Sequence, residues 1–268
     1  MNDYTITVRD YPYHIRETGE GIPLLWLHGM FHSLDSEDLF AVFDFNLLSD
    51  YLRVIRIELP GHGSSPLPHG PERLAWPSVA DDIRMIARQI TGRPYVAGGF
   101  SQGAGIAACM ASGNPDMAGL VMMMLPKIWG QRPAIRKTYA KLVNQLEKPG
   151  DKKILERLFN LTRYVPEHMG WKEDTAAGIN SLMLNMSPEA IRMILTGAIM
   201  SDMPDPEMLK NSAIPSLLGT WHQDPNHPYT VYEEAVGHHL PKDHFEMNAN
   251  FGVKPATFRL LSFIFTYL

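Results

Sequence analysis

The chain of 268 residues holds one cysteine, Cys109. A lone thiol closes no intramolecular disulfide, so nothing points to an oxidising compartment. Cys109 stands in the small-residue run Ala104 to Met110, where a small buried hydrophobe fits better than a reactive thiol. No run of five or more basic residues occurs. Lys and Arg number 24 against 29 Asp and Glu, for a formal net charge of -5, which excludes the electrostatic footprint of a nucleic-acid binder. No apolar stretch approaches the ~20 residues a membrane span requires. The opening residues Met1 to Asp10 lack the basic and then apolar regions of a signal peptide. A soluble, cytoplasmic protein is therefore expected. Neither an H-E-x-x-H motif nor paired Cys/His spacing is present, so no metal and no other cofactor is implied. Repeats, low-complexity tracts and Gly/Ser linkers are missing as well. Any inserted segment should therefore pack on the core rather than swing freely.

What is there suits a large α/β domain or a core with one insertion, because hydrophobic residues make up 45% and charged residues 20%. Tyr4 to Val8 alternates as a half-buried strand does, and Tyr11 to Arg16 follows it. Ile22 to Leu27 is apolar on both faces, as a buried parallel strand is, and stops at His28-Gly29. Residues 36–49 carry helical spacing, and the next strand runs from Leu52 to Leu59. Ser78 is read as the cap of a helix reaching Ile90. Further strands are expected at 94–99 and Leu120 to Leu125. Strand and helix thus alternate in the rhythm of a parallel sheet.

That rhythm breaks at 127–213, which reads as helices at 134–146, 152–161, 172–186 and 187–200. Ser187-Pro188-Glu189 supplies a cap, a first-turn proline and an acid for the last of these. The rhythm resumes with a strand at 214–219, a helix at 230–237, a strand at 243–247 and a final helix after Lys254-Pro255. That last helix is apolar enough to pack on the core. The expected organisation is a core of 1–126 and 214–268, with a helical cap of 127–213 between them.

The residues that carry chemistry begin at Gly99-Phe100-Ser101-Gln102-Gly103, a G-x-S-x-G between a strand and a helix. A nucleophile on a sharp strand-to-helix turn needs small neighbours two positions away, and Gly99 and Gly103 meet that need. The helix start beyond Ser101 offers free N–H groups and a positive dipole end to a developing oxyanion.

With this turn go Leu27-His28-Gly29-Met30 and Leu59-Pro60-Gly61-His62-Gly63-Ser64-Ser65. The three motifs, in this order and at this spacing, resemble the α/β-hydrolase superfamily over nearly the whole chain. Glu58 stands where that family more usually has Asp. The resemblance implies a sheet of about eight mostly parallel strands with helices on both faces and a helical cap. It also implies Ser101 as nucleophile and the backbone N–H groups of Met30 and Gln102 as the oxyanion hole. His28 and His62 are read chiefly as turn residues. Asp224, in the loop after the strand ending at Gly219, fits the family's acid, while Pro126-Lys127 offers no carboxylate at the alternative site.

The family's histidine should follow the last strand, yet 245–255 contains none. A serine hydroxyl needs a base to take its proton. Asp224-Pro225-Asn226-His227-Pro228 resembles a D-P-x-H-P variant of the acid loop, which makes His227 the first candidate, although a histidine three residues from its acid must face it across a turn. His244, His238 and His239 are the others. Two further alternatives are a cofactorless lyase, cyclase or isomerase on the same scaffold, and a non-catalytic ligand-binding protein. His28, Phe31, Trp129 and Met183 are candidates to touch substrate, with Leu184, Met186, Met193 and Trp171 available to line an apolar pocket. The leading expectation is hydrolysis of a small ester, thioester, lactone or similar acyl substrate. The sequence leaves the oligomeric state open.

Overall fold

A computed structural model describes residues 1–40, 42–92, 94–146, 185–221, 224, 226–238, 240–247 and 253–268. The expected helix at 152–161 and all but the last two residues of that at 172–186, together with Trp171, Met183 and Leu184, lie outside the described residues.

Eight strands form one sheet in the order β1-β2-β4-β3-β5-β6-β7-β8. They are β1 (Asn2–Val8), β2 (Tyr11–Thr18), β3 (Ile22–Leu27), β4 (Leu52–Ile57), β5 (Tyr95–Phe100), β6 (Met117–Met123), β7 (Ser216–Trp221) and β8 (Asp243–Met247). β1 and β2 form an antiparallel hairpin, and β2 runs antiparallel to β4. Every pair from β4 to β8 is parallel. Burial follows that placement. The edge strand β1 alternates exposed and half-buried positions, whereas all six residues of β5 and of β7 are buried.

Helices cover both faces. α3 (Trp76–Ile90) and α4 (Gln102–Ala111) pack on one side, where Ile83, Ile86, Ala104 and Ala107 meet Leu25, Ile55 and Ala97. On the other side lie the short α1 (Leu34–Phe40) and α2 (Phe45–Ser49) with the final helix α9 (Val253–Tyr267). There Trp26 is fully buried and meets Phe43 edge-on at 5.2 Å. Such aromatic pairs add about 0.5–1.5 kcal/mol beyond burial. The single helical stretch expected over 36–49 is in fact these two short helices. Asp44 starts the second by accepting the Leu47 N–H at 3.0 Å.

α3 also corrects an expectation. It starts at Trp76, so Ser78 lies inside it and Ala75 is the capping position, with no side-chain cap of its own. The Trp76 N–H is met instead by Ser201 Oγ at 2.9 Å, from far along the chain. Between β6 and β7 the described residues form α5 (Arg132–Leu146), α6 (Pro188–Ile199) and α7 (Pro206–Asn211). Ser187 caps α6 through the Ala190 N–H, with Pro188 in the first turn, as the sequence suggested. The buried Arg132 guanidinium donates to the carbonyls of Ser201, Lys127 and Ala198 and lies 4.4 Å over the Trp76 ring. One side chain thereby ties the start of α5 to the end of α6 and to α3. Between β7 and β8 the described residues form α8 (Tyr229–Gly237).

Candidate active site

Ser101 joins β5 to α4 with φ +53 and ψ -112, a conformation that costs a non-glycine residue roughly 1–3 kcal/mol. Its surroundings hold it there. Its N–H donates to the Met123 carbonyl at 2.9 Å, and its carbonyl receives the Gly105 N–H at 3.2 Å. A Cβ on Gly99 would land on the Gly103 backbone, and one on Gly103 would land on the Leu27 carbonyl. The start of helix α4 therefore lies too close to strands β5 and β3 for side chains at those two positions. Cys109, farther along α4, is 7% exposed, and burial pushes its thiol up to about 12.

β7 leads into the loop that carries Asp224 and His227. Asp224 Oδ1 accepts the Asn226 N–H at 2.8 Å and the His227 N–H at 3.3 Å. Its other oxygen, Oδ2, lies 2.6 Å from His227 Nδ1. The carboxylate thus folds its own loop around itself, and acid and imidazole face each other across the turn. Burial acts to raise the Asp224 carboxyl, but His227 beside it and the two backbone N–H groups hold it below the ordinary range. His227 Nε2 lies 2.8 Å from Ser101 Oγ. With Nδ1 donating to Asp224, Nε2 carries the lone pair that faces the serine hydroxyl.

The other histidines lie elsewhere. His244 is exposed and packs on Tyr232 at 5.2 Å, and His238 meets the Trp129 ring at 5.2 Å. His239 lies outside the described residues. Trp129 donates its indole N–H to the Pro204 carbonyl at 3.0 Å and is committed to that contact and to His238.

The turn after β3 stands next to Ser101. His28 is fully buried. Its Nδ1 faces the Gly29 carbonyl at 2.8 Å and its Nε2 accepts the Leu59 N–H at 2.9 Å, so both nitrogens serve backbone and the ring offers no face to a substrate. Met30 and Phe31 are half-buried and pack beside Leu67, Leu74, Met193 and Ile194. Among the described residues, the Met30 and Gln102 N–H groups have no hydrogen-bond acceptor. His32 packs against Phe100 at 5.7 Å, and Phe100 meets His227 at 5.6 Å. Burial, with His62 and His227 nearby, lowers the His32 imidazole to about 3.

Glu58 is a residue whose part the motif alone did not reveal. It is 3% exposed, and its two oxygens accept the Leu34 N–H at 2.8 Å and the Ser64 N–H at 3.2 Å. It thereby joins the turn after β3 to the turn after β4. The sequence signal for it was its presence at the position where Asp is more usual. Burial raises its carboxyl to about 7, against the pull of those two N–H groups. Among the described residues, no group of three or more His, Cys, Asp or Glu converges as a metal site, and no helix is long and apolar enough to cross a membrane.

An eight-stranded, mostly parallel sheet with a serine on a strained strand-to-helix turn, met by an imidazole from the loop after β7, has the architecture of the α/β-hydrolases. Residues 24–249 match the Alpha/beta hydrolase family, and the chain belongs to it. The fold is similar to an enol-lactonase from Burkholderia xenovorans LB400, with TM-score 0.80 and 15% identity over 98% of this chain and 100% of that one. It is also similar to a hydrolase from Pseudomonas aeruginosa PA01, with TM-score 0.76 and 16% identity over 98% of each chain. A thermophilic esterase from Thermogutta terrifontis gives TM-score 0.73 and 19% identity over 99% of this chain and 97% of that one. Among curated proteins nothing matches.

Proposed function

We propose that the protein is a serine hydrolase of small esters, thioesters or lactones, with Ser101 as nucleophile, His227 as base and Asp224 as the acid that orients it. The observation that carries this reading is the continuous chain Asp224 Oδ2, His227 Nδ1, His227 Nε2, Ser101 Oγ, with spacings of 2.6 and 2.8 Å. Both lie within reach of proton transfer.

In this reading Ser101 Oγ attacks the carbonyl carbon as its proton passes to His227 Nε2. The carbonyl oxygen becomes an oxyanion held by the Met30 and Gln102 N–H groups. Collapse breaks the bond to the leaving alkoxide or thiolate, which takes the proton from the imidazolium. Water then gives a proton to His227 and attacks the acyl-serine. The second collapse frees the acid product and returns the proton to Ser101. Asp224 keeps the Nδ1 proton in place and offsets the charge on the ring.

The half-buried Met30 and Phe31, with Met193 and Leu67 beside them, give the oxyanion turn an apolar neighbourhood. That favours a small apolar acyl or lactone group over a charged one. Residues 127–213 are read as the cap over this site, anchored through Arg132.

The test is a fluorophosphonate probe, with the labelled residue mapped by mass spectrometry. Ser101 should be labelled in the native chain and in His244→Ala. Labelling should be absent in Ser101→Ala and lost in His227→Ala. Labelling that survives His227→Ala would remove His227 as base. No labelling of folded native protein would sink the serine-hydrolase reading.

A further inference from the structure

His62 is 1% exposed in the turn after β4, and its two ring nitrogens have separate tasks. Nδ1 lies 2.9 Å from the Pro60 carbonyl, an acceptor only, so the ring proton sits there. Nε2 is then a lone pair, and it accepts the Phe31 N–H at 3.1 Å. Burial lowers this imidazole to about 4, which keeps the lone pair free at ordinary pH.

Phe31 is under strain. The His32 N–H donates to the Gly29 carbonyl at 3.2 Å and closes a four-residue turn. Phe31, third in that turn, has φ +64, while Met30 is not among the residues of positive φ. That combination defines a type II turn, whose third position favours glycine. A phenylalanine there costs roughly 1–2 kcal/mol. Rotating the Met30–Phe31 peptide to the type I form would relieve the strain. It would also swing the Phe31 N–H away from His62 and turn the Met30 carbonyl towards the ring, so that the turn would no longer be tied to the one after β4. The acceptor on His62 is what opposes that rotation.

We propose that His62 is a positioning residue of the oxyanion site: by accepting the Phe31 N–H, it ties the Gly29–His32 turn, which carries the Met30 N–H, to the turn after β4 and keeps that donor in place for the oxyanion. This rests on the serine-hydrolase reading given above. The imidazole touches no reacting atom. It acts through Phe31 on the geometry of Met30, so its loss should weaken binding of the transition state and leave ground-state binding alone.

The experiment compares the full-length native chain with His62→Phe, His62→Asn and His62→Gln. It uses p-nitrophenyl butyrate as substrate and a trifluoromethyl ketone as the tetrahedral mimic. Phe has no acceptor, Asn has one that falls short of Phe31, and Gln places Oε1 near the position of Nε2. Losing an oxyanion donor outright costs about 10²–10³-fold in kcat, so a loosened turn should cost about 10–100-fold. The expected result is that loss in kcat for both Phe and Asn, with KM nearly unchanged. The trifluoromethyl ketone should weaken by the same factor, and Gln should restore most of the rate. Adding Phe31→Gly to His62→Phe should recover part of the kcat, because glycine takes φ +64 without strain.

The proposal is overturned if His62→Asn or a folded His62→Phe keeps kcat within about twofold. It is equally overturned if kcat falls with no change in ketone affinity, or if Gln fails to restore it. Should His62→Phe not fold, the Asn and Gln pair decides alone. A native chain that neither hydrolyses the ester nor is labelled at Ser101 defeats the hydrolase reading and this proposal with it. A labelled native chain with indifferent His62 variants defeats this proposal only.

Discussion

Replacing Asp224 with asparagine tests whether the loop chemistry depends on charge and tautomer or on shape alone. The side-chain amide would keep one oxygen for the Asn226 and His227 N–H groups, which now meet Oδ1 at 2.8 and 3.3 Å. The loop should therefore keep its form, and the stability lost should be that of one charge-assisted hydrogen bond, about 1.5–3 kcal/mol. The site occupied by Oδ2 is different. It lies 2.6 Å from His227 Nδ1 and would become an NH₂ group. Two donors cannot share that distance, so the imidazole proton must leave Nδ1 for Nε2. Nε2 would then present an N–H to Ser101 Oγ across 2.8 Å, and no base would remain to take the serine proton. A wrong tautomer in such a triad costs about 10⁴-fold in kcat, equivalent to about 5.4 kcal/mol of barrier. Ester hydrolysis measures the rate, ¹⁵N chemical shifts of His227 report the tautomer, and thermal unfolding reports stability. An Asp224→Asn chain that is folded, carries the Nε2–H tautomer and keeps more than about a tenth of the native kcat would refute the reasoning.

Two other predictions concern stability. Gly103→Ala should destabilise the fold by roughly 3 kcal/mol or more, because its Cβ would strike the Leu27 carbonyl in a contact made of backbone on both sides. Chemical denaturation checks this, and a loss under about 1 kcal/mol would contradict the packing argument. Glu58 carries a pH dependence whose sign is fixed by the direction of its shift. Burial raises its carboxyl from 4.5 to about 7 in the fold. The folded chain then holds a proton that the unfolded chain releases, so this group's contribution is complete below about pH 4.5 and fades as pH rises through about 7, by roughly 3 kcal/mol at most. The difference in unfolding free energy between native protein and Glu58→Gln should therefore change across that window and level off above about pH 7. A constant difference across the whole window would show that Glu58 titrates normally.

Some of this protein was legible from its residues alone because the signals are local. The apolar run of β3, the alternation of β1 and the Ser187-Pro188 helix start all follow from short-range rules. The need for glycine at 99 and 103 follows from the turn around Ser101. The strand expected around Asp243 to Met247 is β8, with those bounds.

What the sequence left open was decided by pairs distant along the chain. The cap of α3 could not be read because its acceptor, Ser201, approaches from the segment between β6 and β7, far along the chain. The break between α1 and α2 was hidden because Phe43 and Phe45 continue the apolar spacing through it. Four histidines competed for a place beside Ser101, and only the tertiary structure gives distances: His227 at 2.8 Å, with His244 and His238 spent on aromatic neighbours. The sequence determined that a serine would stand on a strained turn, since that is a matter of adjacent residues. Which imidazole meets it, and how the turns after β3 and β4 are locked by His62 and Glu58, depends on how parallel strands align their ends. No window along the chain contains that alignment.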